Sequence, residues 1–250
     1  MTVLSVNVNK IALLRNSRGR DYPNVVEFVE HVVNLDVKGI TVHPRPDERH
    51  ITRKDVSDIS DFLKLYPDVE FNIEGYPSDQ FMELVLKAAP DQCTLVPDAP
   101  GQLTSDHGWD VAVHQDLLKQ RLKQLRGAGI RSSLFLAPVV SMVEQVPAVG
   151  ADRIELYTED FAAHFGLSSE QKVFEQYAAA AAAAIQLGIG VNAGHDLDLE
   201  NLRRFLEIPG ILEVSIGHAL VVESLLQGLE AVITQYLAIT SGAASETHYY

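Results

Sequence analysis

Between Gly39 and Ile51 the chain reads Gly-Ile-Thr-Val-His-Pro-Arg-Pro-Asp-Glu-Arg-His-Ile. Ile40, Thr41 and Val42 are β-branched in succession and favour a strand. Pro44 and Pro46 cannot continue a ladder, so the strand stops there. Past that stop fall His43, Arg45, Arg49 and His50. Histidine moves protons near neutral pH, and arginine forks onto phosphate or carboxylate. A strand that ends in such groups is how an α/β protein builds a site at the carboxyl ends of its strands.

Other β-type segments end in the same way. The first leads to Asn7, Asn9 and Lys10, the third to Glu74, and the fourth, with its loop, to Thr104 and Ser105. The sixth carries Glu155 and Tyr157, the seventh His195 in Asn-Ala-Gly-His, and the eighth Gly217 and His218 in Ile-Gly-His. His43, Glu74 and His195 form a candidate proton-transfer set. Their spacing lacks the close His-x-His or His-Glu-x-x-His patterns of common metal sites, so no metal is expected. Lys10 could form a Schiff base with a carbonyl substrate, or serve as a phosphate contact or salt bridge. Gly217 lets backbone approach a ligand, and a helix N-terminus directly behind it suits an anion. Arg18, within Arg-Asn-Ser-Arg-Gly-Arg (15–20), could add a charged clamp.

The elements that must position these groups alternate strictly. β-type runs fall at Val3–Val8, Gly39–His43, Val69–Glu74, Gln92–Val96, Arg131–Leu136, Arg153–Tyr157, Gly190–Ala193 and Leu212–Ile216. Helical patterns follow at Val25–Leu35, from Thr52 with Asp55 as a capping box to Tyr66, and from a Ser78 cap to Ala89. Further helices are expected at Val113–Ala128, Val140–Val149, from Ser168 with Gln171 to Leu187, at Leu199–Glu207 and at Ala219–Thr240. Alternation of this kind implies parallel strands with helical crossovers. Eight units of roughly 30 residues give an α/β fold with a single closed (β/α)8 barrel, the TIM barrel, with helical additions. An open doubly wound sheet would carry a Gly-rich first turn, which is missing after Val8. No linker divides the chain, so residues 1–240 read as one domain and 241–250 as a flexible tail. The seven alanines from Ala178 to Ala184 suggest close packing against a neighbour, within the chain or in another subunit.

The chain has 250 residues, 46% of them hydrophobic, enough for a sizeable core. Twenty basic against 34 acidic residues leave a net charge of −14, which argues against nucleic acid or an anionic membrane as partner. Small anionic substrates need only a few local donors and remain compatible. Cys93 is the single cysteine, so no internal disulfide forms, and its apolar surroundings read as a buried structural thiol. No stretch has the form of a signal peptide or approaches the ~20 apolar residues of a membrane span. A cytoplasmic protein is expected.

Taken together, segments 6–19, 39–51, 71–74 (Phe-Asn-Ile-Glu), 95–97 (Leu-Val-Pro), 191–195 (Val-Asn-Ala-Gly-His) and 216–219 (Ile-Gly-His-Ala) resemble the pyridoxine 5′-phosphate synthase family of the deoxyxylulose-dependent vitamin B6 pathway. The resemblance runs over nearly the whole chain. It implies a cofactor-free, ring-closing condensation of the transferase class. 3-Amino-2-oxopropyl phosphate and 1-deoxy-D-xylulose 5-phosphate would give pyridoxine 5′-phosphate, phosphate and water, in a barrel assembled as a homo-octamer. By the same resemblance, His43 and Glu74 would accept protons, His195 would donate one, and Glu155 would assist at the transition state. Asn7, Arg18, Gly217 and His218 would bind the amino-ketone phosphate, and Arg45, His50 and Thr104 the deoxyxylulose phosphate. The chain departs from the family's pattern at Asn9-Lys10, where Asp-His is common, at Asp196, where glycine is common, and at Tyr157 and Glu159, which replace a more usual His and Gly. Asn9, Lys10 and Asp196 are retained as substrate-binding candidates. A Schiff-base aldolase using Lys10 and a non-catalytic phosphosugar-binding paralogue stand as the alternatives.

Overall fold

The computed structural model describes residues 1–98 and 105–242. Eight strands run β1 Val3–Asn7, β2 Gly39–Val42, β3 Glu70–Gly75, β4 Gln92–Leu95, β5 Arg131–Leu136, β6 Arg153–Tyr157, β7 Gly190–Gly194 and β8 Ile211–Ile216. They close into a barrel in sequence order, every pairing parallel, with β8 sealing against β1. The register aligns Asn7 with Thr41, Glu74 with Thr94, and Glu155 with Asn192. All strands therefore end on one rim, and the residues just past them share it.

Helices α1 Asn9–Asn16, α2 Val25–Asn34, α3 Arg53–Leu63, α4 Asp79–Ala88, α5 Gln115–Gly127 and α6 Val140–Val143 cover the first half of the wall. Helices α7 Glu159–His164, α8 Glu170–Gln186, α9 Leu202–Phe205, α10 His218–Gln227 and α11 Leu229–Thr240 complete it. The Thr52–Asp55 capping box forms, and Ser78 caps α4. Five expectations change, the first being that Val140–Val149 supplies only α6 and a 3-10 turn at Val146–Ala148. The short helices α1 and α7 fill loops that carry little hydrophobic periodicity. The helix beginning near Ser168 has Ser169 at its N-cap, with no side-chain cap bond. The segment Leu199–Glu207 supplies only the four residues of α9. The expected helix Ala219–Thr240 is two helices, broken at Gly228, whose φ of +87° only glycine adopts at little cost.

The apolar core lies between barrel wall and helices, where Ile59, Leu118, Phe161, Tyr177, Phe205 and Tyr236 are fully buried. In the alanine run, Ala180, Ala181 and Ala184 pack into this core, while Ala179 and Ala182 face outward. Cys93 is buried in the same core, and burial pushes its thiol pKa up, which leaves it unreactive.

The barrel interior, in contrast, is polar. Ser5, Thr41, Asn72 and Thr94 form a chain of side-chain hydrogen bonds of 2.7–3.3 Å. Toward the strand starts, Arg153 donates to Asn192 at 3.0 Å and lies 3.4 Å from Glu213, and Arg131 pairs with Glu70. Buried charge is tolerated there because it is paired. Among the described residues no helix is long and apolar enough to cross a membrane.

Candidate active site

The rim where β2 and β3 end holds the central pair. His43 follows the last residue of β2, and Glu74 is the fifth residue of β3. His43 Nδ1 lies 3.9 Å from Glu74 Oε2, and both residues are buried. That separation is longer than a hydrogen bond, so the pair is poised without being locked. Burial, followed by the charges of Arg45, His50 and Arg49, holds the His43 imidazole well below its usual pKa. It is neutral at physiological pH and can take up a proton. Burial, followed by the charges of Glu155, Glu213 and Asp98, pushes Glu74 well above the usual carboxylate range, and Arg45 opposes this. The rim thus sets a neutral imidazole beside a carboxyl whose affinity for its proton is raised.

Asn9, in the first turn of α1, fixes this base. Its Oδ1 accepts the backbone N–H of His43 at 2.9 Å, and its own N–H donates to Asn7 Oδ1 at 3.1 Å. Asn9 thereby bridges the ends of β1 and β2.

Arg45 is buried and meets Asp98 Oδ2 at 2.6 Å, and Ser105 Oγ donates to the same oxygen at 2.8 Å. Asp98 was not singled out by its sequence. It is a short polar residue after a proline, and its role appears only when two loops from different strands meet. A cavity of ≈ 410 Å³ opens beside these groups, lined by His43, Arg45, Arg49, Tyr76 and Phe81 among others. His50 stands with its ring centroid 6.4 Å from that of His43. Its Nδ1 accepts the N–H of Ile51 at 2.9 Å, which leaves Nε2 as the hydrogen-bearing nitrogen of the neutral ring. Burial, helped by the charges of Arg45, Arg49 and Lys10, lowers the His50 pKa to about 4. Lys10, half-buried in α1, is thus close enough to His50 to act on it electrostatically.

Glu155, on β6, points into the barrel. Burial and the Glu213 charge push its pKa up to about 8, against a lowering hydrogen bond from Thr94. Its Oε2 is buried without a hydrogen-bond partner among the described residues. Gly194 on β7 leaves room for it, since a Cβ there would lie 2.4 Å from Glu155 Oε1.

His195 and Asp196 follow β7. Their side chains meet at 2.5 Å, Nδ1 to Oδ2, and the His195 ring packs edge-on against Tyr157 at 4.9 Å. Thr158 donates to the carbonyl oxygens of Gly194 and His195. Asp196 thus turns onto its neighbouring histidine.

Gly217 is the N-cap of α10, whose first turn lacks a side-chain cap. A Cβ at Gly217 would lie 3.0 Å from Asn7 Cβ, so the glycine lets β1 and β8 end close together. His218 opens α10 and is exposed at that helix end. Arg18 is exposed just past α1, and no described side-chain bond ties it to the central pair. Thr104 lies outside the described residues. Among the described residues, no group of three or more His, Cys, Asp or Glu side chains is placed to hold a metal ion.

Fold and rim together define a (β/α)8 barrel whose strand-end rim holds a buried histidine–glutamate pair flanked by arginine, with a helix N-terminus that lacks a side-chain cap after β8. Residues 4–242 match the family model described as pyridoxal phosphate biosynthesis protein PdxJ, and the chain belongs to that family. A protein of Leptospira biflexa named pyridoxine 5′-phosphate synthase is 50% identical over 254 residues, covering 96% of this chain and 98% of its own. One of the same name from Bacteroides fragilis is 52% identical over 237 residues, covering 94% and 98%. Among solved structures, an Aquifex aeolicus VF5 protein superposes with a TM-score of 0.65 at 13% identity, covering 98% of this chain and 94% of its own. A phosphoribosyl anthranilate isomerase gives 0.57 at 12% identity, covering 97% and 100%. At such identities these two similarities bear on the barrel fold alone.

Proposed function

We propose that the chain is a pyridoxine 5′-phosphate synthase, joining 3-amino-2-oxopropyl phosphate to 1-deoxy-D-xylulose 5-phosphate with release of phosphate and water. The observation that carries this reading is the buried His43–Glu74 pair, in a chain 50% identical over nearly its full length to a protein of that name. The amine is on a substrate, so an imine forms between the substrates and no enzyme lysine is consumed. What remains is a series of proton shifts, dehydrations and loss of phosphate. General acid–base catalysis contributes roughly 10²–10⁴-fold to each such step.

The neutral His43 is the first acceptor. Glu74, whose affinity for a proton burial raises, is the second acceptor. His195 donates to leaving oxygen, and Glu155 meets charge developing deep in the barrel mouth. Arg45 and the Nε2–H of His50 hold the deoxyxylulose phosphate together with Thr104, while Asn9 and Lys10 shape that side of the pocket. Asn7, Arg18, Gly217 and His218 hold the amino-ketone phosphate at the start of α10. The protein works in the cytoplasm as a homo-oligomer, an octamer by family likeness. Leu13 and Leu14 on α1 and Leu225 and Leu226 on α10 are exposed and supply an apolar face for such assembly.

The test is to supply purified protein with both substrates and follow pyridoxine 5′-phosphate and inorganic phosphate together. The two products in equal amounts support the synthase. Neither product, with both substrates still protecting the protein from heat, indicates a binder only. Borohydride trapping of a carbonyl ligand on Lys10 would favour an aldolase.

A further inference from the structure

We propose that Asp196 is a positioning residue for His195. Its carboxylate fixes the hydrogen on Nδ1 and confines proton exchange to Nε2. This rests on the reading of His195 as the proton donor.

Three observations converge on the pair. His195 and Asp196 both have left-handed backbones, with φ of +82° and +51°. Consecutive non-glycine residues in that region are uncommon and need support from their surroundings. Here Thr158 bonds the carbonyl of His195, and Asn201 donates to the carbonyl of Asp196 at 3.1 Å. This backbone turns the two adjacent side chains toward each other, at 2.5 Å between Nδ1 and Oδ2. Tyr157 then stands edge-on to the ring at 4.9 Å and limits its rotation.

The chemistry follows from the acceptor. A carboxylate offers only lone pairs, so Nδ1 must donate. The neutral ring then has a bare Nε2, and the charged ring has Nε2–H beside a compensating anion. A free imidazole has no such fixed assignment. A histidine that must give up a proton and regain it in each turnover uses the same atom for both. Asp196 itself is held below the usual carboxylate range, chiefly by its hydrogen bond to His195. The other titratable groups around the pair are Tyr157, the carboxylates of Glu159 and Asp106 near it, and His218 at the start of α10.

The experiment uses the full chain with ¹⁵N-labelled histidine and compares the native protein with Asp196→Asn and Asp196→Gly. Asparagine is nearly isosteric and tolerates a left-handed backbone, and glycine relieves it, so both variants are expected to fold. In the native protein, the neutral His195 ring should show hydrogen on Nδ1. In Asp196→Gly, which removes the acceptor, that fixed assignment should be lost. The nitrogen spectrum is read without turnover, so it tests Asp196 even if the synthase reading fails. A native neutral ring with hydrogen on Nε2, or an Nδ1–H ring that persists unchanged in Asp196→Gly, would overturn the proposal.

Discussion

His43 Nδ1 and Glu74 Oε2 lie 3.9 Å apart, and burial moves their proton affinities in opposite directions. The imidazole loses affinity and the carboxyl gains it, because each is pushed toward its neutral form. Burial thus disfavours an ion at either position. The arginine that tempers Glu74 is Arg45, itself held by Asp98.

The raised pKa of Glu155 makes stability depend on pH. Its folded value is about 8, against an ordinary value of 4.5. Between those limits the folded chain binds a proton that the unfolded chain has released, so this contribution weakens as pH rises and is lost above about 8. The difference in Tm between Glu155→Gln and the native protein should therefore shift in favour of the variant as pH climbs through that range. His50 acts in the other direction. Its folded value of about 4 lies below the ordinary 6.5, so its contribution is lost as pH falls from 6.5 toward 4. A Tm difference for Glu155→Gln that stays flat with pH would count against the first assignment.

Gly194→Ala should disable the site more than it destabilises the fold. The added Cβ meets Glu155 Oε1 at 2.4 Å, and the carboxyl, as the end of a flexible side chain, gives way. Turnover should fall by about 10²-fold or more, the scale of one lost proton-handling group. Steady-state kinetics beside a melting curve decides this; native kinetics in the variant would show that the placement of Glu155 does not matter.

The loop carrying His50 hangs on α1. Arg15 bonds both oxygens of Asp55 at 2.5 and 2.8 Å and reaches the His50 carbonyl at 3.3 Å, while Asn16 bonds that carbonyl at 2.8 Å. Asp55 also completes the cap of α3. The Arg15–Asp55 pair is half-buried, so losing one partner costs less than the about 3–5 kcal/mol of a fully buried pair, while losing a hydroxyl cap costs about 1 kcal/mol. Denaturant titration should therefore rank Asp55→Ala below Thr52→Ala in stability. Arg15→Met should raise KM for the sugar phosphate more than it lowers kcat.

Asn9→Ala leaves the buried N–H of His43 without its acceptor, at a cost of about 1–3 kcal/mol. Its kcat should drop with the base misplaced. Asn9→Asp keeps an acceptor at the same reach and should retain more of the activity. Equal kcat for the two variants would mean that the bond does not position His43.

The barrel was legible because its signals are local. Ile40 to Val42 read as a strand and Pro44 as its end, and β2 stops at Val42. Rim residues on neighbouring strands, such as His43 and Glu74, had to come together once the strands closed in order. Relations that depend on where two loops settle were not legible. The Asp98–Arg45 pair joins residues 53 positions apart, and the Asn9–His43 bond joins residues 34 apart. The approach of Asp196 to His195 depends on two consecutive left-handed residues, a turn that His and Asp tolerate but that their order in the sequence does not mark. The polar interior around Gln92, Asn192 and Glu213 also went unforeseen, since short buried strands do not show which face points inward.

The most direct test of the synthase mechanism is turnover by the native protein, His43→Gln, Glu74→Gln and the double variant, measured side by side with both substrates. The account predicts equal pyridoxine 5′-phosphate and phosphate from the native protein and a loss of roughly 10²–10⁴-fold in each single variant. It also predicts a double variant little worse than the poorer single, because the two groups act as a unit. No product from the native protein, or full turnover by Glu74→Gln, would contradict it.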